Sequence, residues 1–215
     1  MPSTPRIFDK RLYARRRARA AKRFADFDFL HRRAMEDIVE RLEIVKRRFP
    51  VAAFDGAGGL LNLLTPACEV DEIVAMDPAP ARLPQSGLRL AADAEALPFA
   101  PQSLNLFVSL LTLHAANDLV GALAQARMAL KPDGLFIAAV FSEGTLGALR
   151  RALYAAEADI TGGVSARIAP FAAIQDYGQA LARAGFALPV VDVDKVTVAY
   201  DEPLNLLRDL RGMGE

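Results

Sequence analysis

Apolar and polar positions alternate along this chain in two rhythms. Met35, Ile38, Val39, Leu42, Val45 and Phe49 recur at helical spacing, which predicts an amphipathic helix from about Leu30 to Arg48, stopped by Pro50. The short apolar run Val51–Asp55 ends in an acid and meets Gly56, Gly58 and Gly59 at once. That is the pattern of a buried parallel strand entering a tight turn, with Leu60–Leu64 opening the next helix. Apolar runs at Glu72–Met76, Leu88–Ala92 and Leu104–Leu110 predict three more strands. Asn117 can cap a helix running to about Leu130 on Leu119, Leu123 and Ala126, and Pro132 and Gly134 break it before a strand at Leu135–Val140. Gly144–Asp159 reads as helix, Pro170 sits where another can start and Gly185 where it stops, and Leu188–Tyr200 is rich in β-formers.

Alternating β and α elements with short connections predict an α/β fold: a doubly wound, mostly parallel sheet with helices on both faces. Residues 1–50 are expected to form a basic helical segment packed on the domain that residues 51–215 build. Ligands of such sheets bind at the carboxyl ends of the strands.

With 215 residues, 53% of them hydrophobic and 24% charged, the chain suits one globular domain. No apolar run is long enough to span a bilayer, and the N-terminal Arg and Lys residues lack the apolar stretch of a signal peptide. The single Cys68 has no partner at metal-ligand spacing, so a small buried hydrophobe in a reducing, cytoplasmic setting is expected. The zero net charge hides an asymmetry: eleven basic residues against Asp9, Asp26 and Asp28 between Met1 and Arg33. Such an arm suits nucleic acid, an anionic membrane surface or an acidic protein patch, or is simply a solvated helix face. Phe8, Leu12, Phe24, Phe27, Phe29 and Leu30 interrupt its charges, which suggests a segment docked on the body.

Candidate chemistry gathers at the predicted strand ends. In the turn Asp55-Gly56-Ala57-Gly58-Gly59, glycine lets the backbone approach a ligand, and the following helix would offer its positive N-terminus. Asp77 closes the second strand beside Pro78, placed to accept hydrogen bonds from ribose hydroxyls. Asp93 follows the third strand and could accept from an adenine amino group while the Ala94 amide faces the ring. Ser109 and Leu110 end the fourth strand. His114 lies just beyond, as a base or substrate contact or, on ordinary grounds, a packing histidine. Each acid also has a structural reading, as a turn residue or a cap. A dinucleotide-binding domain competes for the same signals but wants Gly-X-Gly-X-X-Gly, which this turn does not supply.

The runs Ala94-Glu95-Ala96-Leu97-Pro98-Phe99, Ser103–Ser109 and Ala129-Leu130-Lys131-Pro132-Asp133-Gly134-Leu135 resemble successive motifs of class I S-adenosylmethionine (SAM)-dependent methyltransferases. Ile7–Leu12, Phe27–Leu30, Leu113–Leu119, Gly144–Leu146, Ala169–Phe171, Arg183–Phe186 and Asp209–Gly214 narrow the likeness. Together they are similar to a group holding a mitochondrial complex I assembly factor that hydroxylates a protein arginine and the malonyl-carrier-protein methyltransferases. The resemblance implies SAM as cofactor, held by Asp55, Gly56, Ala57, Gly58, Gly59, Asp77, Pro78, Asp93, Ala94, Ser109 and Leu110, and no metal. It also implies a protein substrate, a respiratory-complex subunit, reached through the basic helix, and argues against nucleic acid. The motif starts close to Met1, so a bacterial cytosolic protein is expected.

Two departures stand out. The family's glycine loop carries Ala57 and Leu61 where glycines are expected, or lacks a residue, and Ala115 replaces a bulky aromatic. Relatives continue past Gly214 with a last antiparallel strand, so the sheet is expected to lack it, unless a hairpin within Leu188–Tyr200 or a partner fills the place. Three functions follow: a SAM-dependent transferase, a SAM-fold assembly factor or arginine hydroxylase, and a binding module that has lost SAM.

Overall fold

A computed structural model describes residues 6–215; residues 1–5 of the basic segment lie outside the described residues. Its centre is a five-stranded, wholly parallel sheet in the order β3-β2-β1-β4-β5. The strands are β1 (Phe49–Asp55), β2 (Val70–Asp77), β3 (Leu88–Ala91), β4 (Leu104–Leu110) and β5 (Leu130–Ala139). The helices are α1 (Lys10–Ala20), α2 (Phe29–Val45), α3 (Leu119–Ala129), α4 (Gly147–Thr161), α5 (Ile174–Arg183) and α6 (Pro203–Met213).

The central strands are apolar throughout because both faces are covered. Ala52 and Phe54 of β1 and Leu106, Val108 and Leu110 of β4 meet Met35, Ile38, Val39 and Leu42 of α2. The alternate residues Ala53 and Phe107 face the other way, onto Ala126 and Ala129 of α3. Leu104 joins this second face, next to the irregular β4–β5 register between Leu104 and Leu106. Behind α3, Ala122 and Leu123 pack on Ala180 of α5. α1 lies against α6 and the turn at Pro80–Arg82. Gly212 of α6 must be glycine: a Cβ there would stand 2.2 Å from Cγ of Phe27.

Several elements depart from the sequence pattern. Pro50 does not stop α2: the helix ends at Val45, with Lys46 left-handed at φ 47°, and β1 already contains Pro50. The helix expected from Leu60 is only a 3-10 turn, Gly58–Leu63. Pro66 cannot donate to a continuing helix and drives Thr65 to ψ 162°. Asp118, not Asn117, caps α3, accepting from the Gly121 amide at 2.8 Å. Asn117 instead accepts from the Ile7 and Phe8 amides at 2.7 and 2.8 Å and so moors the chain ahead of α1. β5 begins at Leu130 and runs through Pro132 and Gly134, and α5 starts at Ile174, well after Pro170.

The β-rich segment 188–200 forms no strand, and among the described residues nothing pairs with the outer edge of β5. Pro189 removes one ladder donor, and Asp192 and Asp194 are drawn to Arg41 and Arg33 of α2 at 2.9 and 2.8 Å. Val190 is 86% exposed. A β-branched residue favours a strand only where a half-buried sheet surface receives it.

Candidate ligand site at the carboxyl edge of the sheet

The sheet order sets β1, β2 and β3 side by side, so the acids that end or follow them converge on one edge. Asp55 pairs in register with Ser109 of β4, and both are buried. Its Oδ2 accepts from Thr112 Oγ1 and from Ser109 Oγ, the latter at 3.4 Å, while Oδ1 is buried without a partner among the described residues. Burial, outweighing the Thr112 hydrogen bond, pushes the Asp55 carboxyl up to about 7. Gly56 follows at φ +81°, where a Cβ would stand 2.5 Å from the Leu110 carbonyl oxygen and 2.6 Å from Cγ2 of Thr112. Only glycine turns the chain so close to β4. Gly58 is similarly pressed against the Arg82 carbonyl oxygen at 2.5 Å.

The remaining loop residues differ from expectation. A Cβ at Gly59 would meet nothing within 4 Å, so no contact there demands glycine. Ala57 packs its side chain into the core among the α2 residues. A six-residue 3-10 turn also aligns fewer peptide dipoles than the expected helix would have presented.

Asp77 is wholly buried, and its carboxylate is already engaged. Arg17 of α1 reaches it with Nη2 at 2.7 Å from Oδ2 and Nε at 3.3 Å from Oδ1, and the Ala79 amide donates to Oδ1 at 2.8 Å. Arg17 also donates to the Tyr13 hydroxyl at 3.2 Å. A second guanidinium, Arg82, stands 3.9 Å from Asp77 Oδ2 and lies over the Phe24 ring, 3.1 Å from its centroid. None of its three guanidinium nitrogens is hydrogen-bonded among the described residues, and burial followed by the Arg17 charge pulls its pKa down to about 9.

Asp93 is half-buried and accepts from Lys10 Nζ at 3.1 Å and from the Glu95 amide at 2.9 Å; Lys10 also reaches Glu95 Oε2 at 2.6 Å. Beside Asp93 and Pro78 opens a cleft of about 310 Å³, walled by Ala14, Ala91 and Ala92 and bordered by Lys10 and Arg11; Asp77 lies beneath Pro78 and does not line it. Ala94 turns its side chain into the core beside Leu113 and Leu123. His114 lies beyond β4, its ring edge-on to Phe141 and Phe171 at 4.9 and 5.8 Å and its Nε2 3.3 Å from Glu215 Oε2. It is 6% exposed and so is enclosed by its neighbours.

The sequence marks the acids but not the cations. Nothing in a run of arginines singles out Arg17 as the one turned inward; the seven-residue step from Lys10 to Arg17, which puts both on one helix face, is the one signal it carries. Arg82, Thr112 and Glu215 give none.

The chemistry of this edge fits an adenosine-bearing cofactor in kind: a buried acceptor on Asp55 that is unpaired among the described residues, acids at Asp77 and Asp93, and an apolar-walled cleft beside Asp93. The place at Asp77 is taken by Arg17. A family described as "Methyltransferase domain" matches residues 55–138. Over the full chain there is 38% identity to the Mus musculus protein named arginine-hydroxylase NDUFAF5, mitochondrial, of which 65% is covered. Over 91% of the chain there is 34% identity to malonyl-[acyl-carrier protein] O-methyltransferase of Laribacter hongkongensis, of which 70% is covered. The chain thus spans about two thirds of the length of these relatives. Among solved structures, a Haloferax volcanii methyltransferase in complex with its Trm112 activator shares the fold, with TM-score 0.60 and 19% identity over 79% of this chain and 75% of that one. Identity at this level, carried along the whole chain on the sheet just described, places the chain in the class I SAM-dependent methyltransferase family.

Proposed function

We propose that this chain binds SAM at the carboxyl edge of its sheet and transfers a methyl group from it. One observation carries the reading: Asp55, Asp77 and Asp93 stand at the ends of three adjacent parallel strands around a turn that only Gly56 can make. Asp55 Oδ1 would accept from the cofactor's ammonium group, Asp77 from the ribose hydroxyls, and Asp93 from the adenine amino group, with the ring against Pro78, Ala91 and Ala92. When bound, SAM supplies a methyl group on a sulfonium, already activated for in-line displacement. The protein's part is then to hold donor and acceptor in line and exclude water. His114, enclosed by Phe141, Phe171 and Glu215, would shape the acceptor side.

Calorimetric titration with SAM and with S-adenosylhomocysteine tests this. Saturable binding is expected, weakened at least about tenfold when Asp77→Asn, which loses the charged acceptor, is added to a folded Arg17→Met variant. Equal binding with and without Asp77→Asn in that background refutes the assignment, and a folded protein that binds neither compound is a non-catalytic binding module.

As a second reading we propose a bacterial, cytoplasmic protein acting on or assisting a protein substrate such as a respiratory-complex subunit; the 38% identity to a protein named as an arginine hydroxylase supports the protein substrate. Arg11, Arg15, Arg16 and Arg19 form the exposed face of α1 that would meet such a partner. Arg17 does not belong to that face. Reversing Arg15, Arg16 and Arg19 to Glu should impair partner capture and spare SAM binding; unimpaired capture makes α1 a solvated face.

A further inference from the structure

Two cations on one helix each hold one of the acids assigned to the nucleoside. Lys10 and Arg17 are seven residues apart, which on an α-helix is two turns and about 10.5 Å along a single face. Arg17 closes on Asp77 with both residues wholly buried; Lys10 closes on Asp93 and Glu95 at the mouth of the cleft, its side chain 29% exposed. Asp77 Oδ1 is shared between Arg17 Nε and the Ala79 amide, and Oδ2 faces Arg17 Nη2. Ribose hydroxyls need those same oxygens, and the guanidinium fills the space from which they would approach. Gly56 is within reach of the same guanidinium, since a Cβ there would lie 3.5 Å from Arg17 Nη2.

We propose that α1 is a self-inhibitory latch: Lys10 and Arg17 occupy the acceptors of the adenosine moiety, and a SAM-like nucleoside binds only when Arg17 withdraws from Asp77. The inference rests on the assignment of Asp77 and Asp93 to the nucleoside. Its consequence is thermodynamic: the ligand binds only the fraction of molecules with the latch open, so the apparent affinity is the intrinsic one reduced by that fraction. A latch closed in nine molecules of ten costs about tenfold in affinity. By linkage, ligand and docked α1 exclude each other, so binding loosens this helix where a lid would tighten.

The test is S-adenosylhomocysteine affinity by calorimetry in the full chain and in Arg17→Met and Lys10→Met variants. The latch predicts affinity raised about tenfold or more in Arg17→Met and severalfold in Lys10→Met. Lys10 is partly exposed, so its variant keeps the experiment decisive if Arg17→Met does not fold. Hydrogen exchange of the unaltered protein supplies an independent reading, with protection of residues 10–20 falling as ligand is added. Unchanged or weakened affinity in the folded variants, or α1 amides more protected with ligand, overturns the latch while leaving the cofactor assignment intact. Absence of binding in all three folded proteins overturns that assignment, and the latch with it.

Discussion

The Arg17 guanidinium and the Asp77 carboxylate meet at 2.7 Å with neither side chain exposed, joining residues 60 positions apart. Two charges taken out of water are tolerated only as a pair, and losing one member costs more than the pair contributes. Asp77→Ala would leave Arg17 and Arg82 as adjacent buried cations. It should lower stability by about 3–5 kcal/mol, measured by urea denaturation. The Arg17→Met, Asp77→Leu double variant should be less destabilised than the sum of the two single changes. Strict additivity would mean that the pair is not coupled.

Asp55 should give the stability curve a slope near neutrality. Its carboxyl, raised from 3.8 to about 7 by burial, is protonated in the fold at pH values where the unfolded chain is ionised. The contribution is fully present below about pH 4 and is lost as pH rises through 7; it amounts to roughly 4 kcal/mol at most. Asp55→Asn removes the titration, so urea midpoints measured from pH 4 to 8 should flatten and exceed those of the unaltered protein at pH 8. Parallel curves would show that Asp55 is ionised throughout.

Gly56 and Gly59 should behave in opposite ways although they share one loop. Gly56→Ala must place a Cβ against the Leu110 carbonyl oxygen at φ +81°, and a loss of roughly 2 kcal/mol or more is expected. Gly59→Ala meets nothing and should change stability by less than about 0.5 kcal/mol. Thermal melts of the two variants decide it, and equal losses would show that the loop is not held against β4.

The parallel sheet is legible in the sequence because its strands are short, buried on both faces and separated by turn residues, a pattern that survives without knowledge of the tertiary fold. Leu104–Leu110 is marked to the residue, whereas Leu188–Tyr200 has the composition of a strand and forms none, because β-branched residues express a preference that only a neighbouring strand can satisfy. The helix expected after the glycine loop fails for a local reason: Pro66 holds the residue before it in extended backbone and leaves room for only a 3-10 turn.

By itself, then, the sequence determined the alternation of elements, the acids at Asp55, Asp77 and Asp93, the glycine turn and the family they resemble, since these depend on residue type and spacing along the chain. Only the tertiary structure decided what faces those acids. Arg17 and Arg19 are near neighbours of identical chemistry, yet one is buried on Asp77 and the other lies in solvent. The direction of an arginine on a helix is set by which face packs, and that depends on contacts with residues far away in sequence.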